Sequence, residues 1–473
     1  MAASTDSTLA ISASIAGIMN EIHNPQHLQV IKTLTSALRE EEYRDAVEEE
    51  VFSDLLKVLT NLCEELHTAS ADGDGLQAFS LQLQLTAECF RAQRNACVQS
   101  TRNQSLLRSL LETVFLLLFF YFTNAFSLSP CGSALRCGIQ FLGNLAVGNQ
   151  TCKDDIWQLS FPDLLLVDDE KVVNYTSMVL HTCLDETKVE DLSARRTSSW
   201  LLRVMELCRT RPELDWTVLI ATQHFLGSAI SVSLWESSIA VRMSFRVTLL
   251  ELLFAQLREE VSEECGVPPD VARFLAGSFQ KSCGAVLALA TGSASSDEAL
   301  TVISLLDVLC EMTSDLKQFM FLQDHPDLLV TTVELLQQVH AIGKASKNIF
   351  SAAQNFSSLS ADGESPVISF KAHLIRFIGN LCHGNAGNQN KVRELEGIPL
   401  ILDNCNIDSN NPFISQWAIF AIRNLLENNV QNQELVASLE RRGKADYSAL
   451  RQLGFLVEER DGSLLLKTVR KDS

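Results

Sequence analysis

The stretch "FIGNLCHGNAGNQN", Phe377 to Asn390, decides the fold because the chain repeats it in three other places. These are "FLGNLAVGNQ" (Phe141 to Gln150), "AIRNLLENNVQNQ" (Ala421 to Gln433) and a more worn "AQRNACVQSTRNQ" (Ala92 to Gln104). Each places an Asn inside an apolar run and reaches Asn-Gln five or eight residues later. A pattern of this kind marks a joint that recurs. Ahead of the first Asn, Leu135, Ile139, Leu142 and Leu145 step by three or four residues, as do Leu374, Phe377 or Ile378, and Leu381. That is the period of an amphipathic helix. The first Asn of each motif (Asn95, Asn144, Asn380, Asn424) therefore falls in the last turns of a helix, and Gly143 and Gly379 beside two of them allow a close helix neighbour. The second (Asn103, Asn149, Asn388, Asn432) follows a break and precedes a new helical pattern, an N-cap position.

Spacing identifies the repeat. Asn380 to Asn424 is 44 residues and Asn95 to Asn144 is 49, against roughly 40 to 47 for HEAT and armadillo units. Helical apolar patterns at Val172 to Thr182, Ser198 to Arg209, Val241 to Arg258, Leu300 to Glu311 and Leu328 to His340 fill the interval between the second and third motifs. Downstream, the Gly-Ile-Pro step at 397–399 starts one helix, and Asn411-Pro412 is read as the cap and first turn of another. Short helix, short helix, long helix is the armadillo order. The expected fold is all-α, an armadillo/HEAT-like α-solenoid, each repeat covering its neighbour's apolar face.

Composition agrees. The chain has 473 residues, 46% hydrophobic, with 10 prolines and four tyrosines, enough for a large core but poor in strand formers. A formal net charge of −20 disfavours nucleic acid and anionic lipid as partners and favours basic ones. "EEEYRDAVEEE" (Glu40 to Glu50) reads as a solvated helix face or a docking site for a basic partner. The 13 cysteines are scattered without a CxxC pair, and no secretory signal precedes them, so the chain is expected to be reduced and intracellular. The sequons at Asn103, Asn149, Asn174 and Asn355 are then chance.

"LLETVFLLLFFYFTNAF", Leu110 to Phe126, is apolar without interruption only from Val114 to Phe122, whereas a membrane span needs about 20 apolar residues. It is read as a helix buried on all sides or one packed against a second copy, with Phe115, Phe119, Phe120 and Phe122 as candidate self-association residues. "RRTSS" offers Ser198 as a candidate phosphorylation site, and the Ser-rich stretch 351–366 is a linker carrying a second candidate, Ser365, before Pro366. "ADGDG" (Ala71 to Gly75) lacks the further ligands of a calcium loop. Pro25 between His23 and His27 disfavours one helical metal face. No phosphate loop, HExxH or GxSxG occurs, so no enzyme, cofactor or metal is expected. "GFLVEERDGSLLLKTV" places Asp461-Gly462 between two apolar segments, a hairpin signal that would end the solenoid.

The stretch Phe370 to Gln433 resembles the C-terminal domain of the ataxin-10 family, and "GIQFLGNLAVGNQ" is similar to that family's N-terminal half. The resemblance implies N-terminal armadillo-like repeats over 1–350, the linker, and a C-terminal ataxin-10 domain over 367–473. It also implies a scaffold that self-associates, with roles in neuron survival, neurite outgrowth through a G-protein β subunit and Ras–MAP kinase signalling, and cytokinesis. O-linked N-acetylglucosamine transferase is a further implied partner. Cytoplasmic and perinuclear placement, the centrosome, the cilium basal body and the midbody are the implied locations. For the first asparagines two readings stay open, bonding between repeats or a peptide-binding groove. The residues four positions earlier (Arg91, Gln140, Arg376, Phe420) form no Trp array of the nuclear-import kind.

Overall fold

The computed structural model describes residues 24–71, 80–124, 129–159, 169–189, 199–226, 235, 243–259, 267–290, 296–314, 317–344, 349–351, 367–405, 408–441, 455–460 and 463–468. The chain divides into two units, Met1–His224 and Phe225–Ser473. Ser198, Ser365 and residues 352–366 of the linker lie outside the described residues.

In the first unit, α1 (Pro25–Ala37), α2 (Glu41–Ala46) and α3 (Glu49–Ala71) lead into α4 (Ser80–Ala96), α5 (Thr101–Leu107), α6 (Leu111–Asn124) and α7 (Ser129–Ala146). After them come α8 (Gln150–Gln158), α9 (Glu170–Cys183), α10 (Ser199–Thr210) and α11 (Asp215–Ile220). The layers form by succession: α4 packs against α1 and α7, α7 against α9, and α9 against α11. The predicted periodicity holds, since Leu135, Ile139, Leu142 and Leu145 of α7 are all buried. At Gly143 α9 packs closely, a Cβ there standing 2.8 Å from the Met178 methyl and 3.4 Å from Val179.

The second unit contains α12 (Met243–Glu259), α13 (Pro269–Ser282), α14 (Gly284–Ala290), α15 (Ser296–Met312), a 3-10 stretch at Lys317–Asp324, and α16 (Leu328–Gly343). There follow α17 (Phe370–Cys382), α18 (Ala386–Glu394), α19 (Gly397–Asp403), α20 (Ile414–Leu426) and α21 (Val430–Arg441). Here α15, α17 and α20 pack side by side. A Cβ on Gly379 would lie 3.0 Å from Ala421 Cα and from the Phe420 ring, so α17 and α20 meet almost backbone to backbone. Short α18, short α19 and long α20 reproduce the armadillo order, and both units are armadillo-like α-solenoid.

The predicted hairpin is present. β1 (Phe455–Arg460) and β2 (Ser463–Thr468) pair antiparallel, from Phe455 opposite Thr468 to Arg460 opposite Ser463. This register puts Phe455, Val457, Leu464 and Leu466 on one face and Leu465 with Glu458 on the other. β2 lies beside α21. Every described cysteine is a free thiol, and burial pushes those of Cys183, Cys208 and Cys405 up to about 12. On α6, Val114, Leu117 and Leu118 are buried while Leu116 is 68% exposed. Phe115 is half-buried, and the side chains of Phe119, Phe120 and Phe122 lie outside the described residues. No helix among the described residues is long and apolar enough to cross a membrane.

Candidate functional site

The four motifs build one kind of joint. A helix leaves its last carbonyls without backbone partners, and here side-chain amides fill many of them. Four residues after the first Asn the backbone turns left-handed in all four cases: Gln99 (φ 53), Gly148 (φ 74), Gly384 (φ 62) and Asn428 (φ 53). The following residue caps the next helix. Ser100, Asn149, Asn385 and Asn429 accept from the backbone N–H three positions on, at 3.4, 3.1, 3.0 and 3.1 Å.

That geometry corrects the capping expected from sequence. Only Asn149 is itself a cap. Asn103, Asn388 and Asn432 stand three residues inside their helices, and each Nδ2 bonds back across the joint. Asn388 donates to Leu381 O at 2.8 Å and to Gln323 O at 2.9 Å; Asn432 donates to Leu425 O at 2.7 Å and to Gln389 O at 3.2 Å. Asn103 does the same with Ala96 O and Arg44 O. In the second motif the equivalent residue is Cys152, whose Sγ lies 3.9 Å from Gln104 O. The two spacings of five and eight residues were therefore two different positions.

Glutamines tie each joint to the next repeat. Gln104 Nε2 donates to Asn144 O (2.9 Å) and Val147 O (2.8 Å), and Gln389 Nε2 to Asn424 O (2.9 Å). Gln323 plays this part for the third motif, reaching Asn380 O and His383 O at 3.2 and 2.9 Å. Sequence reading missed it, because no Asn precedes it in the motif register. Gln323 stands 11 residues beyond the end of α15, where Gln104 and Gln389 stand eight and seven beyond the ends of α4 and α17.

The first asparagines donate to the helix before their own. Asn95 Nδ2 reaches Thr35 O (2.9 Å), Asn144 reaches Arg94 O (3.0 Å), Asn380 reaches Cys310 O (3.0 Å) and Thr313 Oγ1 (3.1 Å), and Asn424 reaches Gly379 O (3.0 Å). Asn95, Asn380 and Asn424 are buried, and Asn144 is half-buried. Asn95 Oδ1 takes Arg94, whereas no donor among the described residues reaches Oδ1 of Asn144, Asn380 or Asn424. The amides thus join the repeats through their nitrogen and keep the oxygen as an acceptor.

Asn411 is a second correction. It does not cap α20, whose N-cap residue is Phe413 at φ 61. Its Oδ1 accepts from Lys371 N (3.1 Å) and Ala372 N (3.3 Å), so it caps α17 across the repeat interface, where Ser369 (φ 66) makes no side-chain cap. Its Nδ2 donates to Phe350 O at 2.6 Å.

Further back along the same helices the side chains form a strip. In the second unit His373 Nδ1 lies 2.5 Å from Asp307 Oδ1, and Arg376 pairs with Glu311 at 3.1 Å. The Arg376 guanidinium sits 4.7 Å above the Trp417 ring, which meets Phe420 edge-on at 5.8 Å. Trp417 stands seven residues before Asn424, which is why a search four residues back misses it. In the first unit Arg91 pairs with Glu88 (2.6 Å), and Arg94 crosses from α4 to α7 to reach Gln140 Oε1 (2.7 Å). Among the described residues no cluster of His, Cys, Asp and Glu is arranged to hold a metal.

Ataxin-10 of Xenopus tropicalis is 42% identical over 456 residues, covering 93% of this chain and 92% of that protein. The chain belongs to the ataxin-10 family. Human ataxin-10 is 38% identical over 97% of both chains. An ataxin-10 homolog of Dictyostelium discoideum is 48% identical over 109 residues, 23% of this chain and 18% of that one. The family model described as "Spinocerebellar ataxia type 10 protein domain" matches residues 370–467, which run from α17 to β2 and contain the third and fourth joints. Ataxin-10 relatives thus share a helical scaffold. Among solved structures, SYS-1 aligns over 89% of this chain and 76% of its own at 11% identity and a TM-score of 0.36.

Proposed function

We propose that the protein is a non-enzymatic scaffold that holds partner proteins along the strip lined by its long helices. The observation that carries this reading is the division of labour on those helices. The joint amides complete the stack, while Trp417, Phe420, Arg376 and His373 stay half-buried or half-exposed on one continuous face. Amide oxygens left as acceptors and aromatic rings beside them suit an extended segment, which needs both backbone acceptors and side-chain pockets. By family resemblance the partners are O-linked N-acetylglucosamine transferase and a G-protein β subunit. The setting is then neuron survival, neurite outgrowth through Ras–MAP kinase signalling, and cytokinesis, at the perinuclear cytoplasm, centrosome, cilium basal body and midbody.

The test is biolayer interferometry of the purified protein against each purified partner. Trp417→Ala with Phe420→Ala is expected to weaken binding by about tenfold or more while the helical circular dichroism is kept. Unchanged affinity for both partners overturns the reading.

A second reading, self-assembly, is supported by Leu116, an exposed leucine within the apolar run Val114 to Phe122 of α6. Phe115, Phe119, Phe120 and Phe122 share that helix. In light scattering, Leu116→Glu is expected to lower the mass of an assembly; a wild type that is monomeric at all concentrations removes this reading.

A further inference from the structure

In a chain of net charge −20, one face is cationic. Helices α1, α4 and α7 carry Lys32, Arg91, Arg94 and Arg136 against a single carboxylate, Glu88. The hydrogen bonds set their level. Asn95 bonds Thr35 O as Asn144 bonds Arg94 O, so Thr35 occupies on α1 the place of Arg94 on α4, and Lys32 that of Arg91. Arg136, Gln140 and Asn144 are spaced four apart on α7 and share one face. The four cations therefore lie on adjacent helices along one strip.

Their charge is incompletely answered. Glu88 neutralises Arg91. Arg94 is held by neutral oxygens alone, Gln140 Oε1 at 2.7 Å and Asn95 Oδ1 at 3.2 Å. Arg136 lies 3.5 Å from Asp169, whose other oxygen caps α9. Lys32 is exposed. Burial raises the thiol of Cys137, and both arginines of α4 only partly oppose that rise. In the second unit Asp307 and Glu311 answer His373 and Arg376 one to one, whereas in the first unit only Arg91 and Arg136 of the four cations face a carboxylate.

We propose that this strip of the first unit receives an extended acidic peptide, its carboxylates meeting Arg94, Lys32 and Arg136. The inference rests on the scaffold reading and adds the chemistry of the partner segment. Packed helices stand about 8 to 10 Å apart, so the outer two of three lie about 16 to 20 Å apart, the length of about five to six extended residues at ~3.3 Å each. Alternate side chains of that segment would face the strip. The overall negative charge does not forbid it, because repulsion is screened beyond about 10 Å at 0.1 M salt.

The experiment is fluorescence anisotropy of a labelled alternating Glu-Ala decapeptide, with a Gln-Ala decapeptide as control, on the full chain at 0.1 M salt. Glu-Ala is expected to bind at least about tenfold tighter than Gln-Ala and to weaken as salt rises. Lys32→Gln with Arg94→Gln is expected to remove that advantage, and Lys281→Gln, at an exposed lysine of α13 in the second unit, to leave it. Lys32→Gln alone alters an exposed side chain, so it reports on charge even where Arg94→Gln disturbs α4. Equal binding of the two peptides, or binding indifferent to Lys32 and Arg94, overturns the acidic-peptide inference. If in that case Trp417→Ala and Phe420→Ala still weaken the partner proteins, the scaffold reading stands without it; if they do not, both fall.

Discussion

Asn424 donates its side-chain amide to the carbonyl of Gly379 at 3.0 Å, one residue before Asn380, as Asn144 donates to Arg94 O one residue before Asn95. The same bond thus recurs in both units between helices brought together by close packing. Its removal leaves a carbonyl at a buried interface without its donor. Replacing Asn424 or Asn380 with Asp keeps the shape and deletes the donors, and is expected to lower unfolding free energy by about 1 to 3 kcal/mol in urea titration. A loss below about 0.5 kcal/mol in both variants would mean that solvent replaces the bond and that the amides serve binding alone.

Asn411 caps a helix 40 residues earlier in the chain. Asn411→Ala is expected to cost about 0.5 to 2 kcal/mol. Hydrogen exchange locates the damage: faster exchange at Lys371 N and Ala372 N supports the cross-repeat cap, whereas exchange quickened only at the start of α20 refutes it.

Gly379→Ala puts a methyl 3.0 Å from Ala421 Cα, and backbone cannot rotate away as a side chain can. About 1 to 3 kcal/mol of destabilisation is expected. Gly277→Ala, where a Cβ meets nothing within 4 Å, is expected to be neutral or to stabilise by up to about 1 kcal/mol. Equal thermal midpoints for the two variants would contradict the close approach of α17 and α20.

Gln93 is fully buried with neither amide atom paired, at the position where the other motifs have Leu142, Ile378 and Ile422. An unmade hydrogen bond of this kind costs about 1 to 3 kcal/mol. Gln93→Leu is therefore expected to raise the thermal midpoint; a lower one would reveal a buried water or a partner that the amide serves.

His224 has its pKa lowered to about 4, by burial first and by the charge of His181 second. The unfolded state then binds the extra proton between about pH 6.5 and 4, so this group's stabilising contribution is complete above the upper value and declines as pH falls through the window. His340 is lowered for the same leading reason. His224→Gln is expected to flatten, without abolishing, the loss of urea stability from pH 6.5 to 4. Parallel curves for variant and wild type would exclude the group.

Much of the fold was legible because it is written in short-range patterns. A step of three or four residues names a helix and its buried face, and the recurring Asn-Gln names the joint. The site was less legible. Gln323 lacks the motif that would have flagged it, Trp417 sits seven residues from its Asn instead of four, and Cys152 stands where the other joints have Asn.

The sequence by itself determined the helices, the repeat, the hairpin and the family, since each depends on residues within about one repeat of one another or on similarity along the chain. Only the tertiary structure decided which carbonyl each amide meets, because the bonded partners lie 60, 50, 70 and 45 residues back for Asn95, Asn144, Asn380 and Asn424. Intervening loops vary in length, so no fixed period predicts them. The cationic strip has the same origin: Lys32, Arg94 and Arg136 are scattered along the chain and become one surface when packing sets three helices side by side.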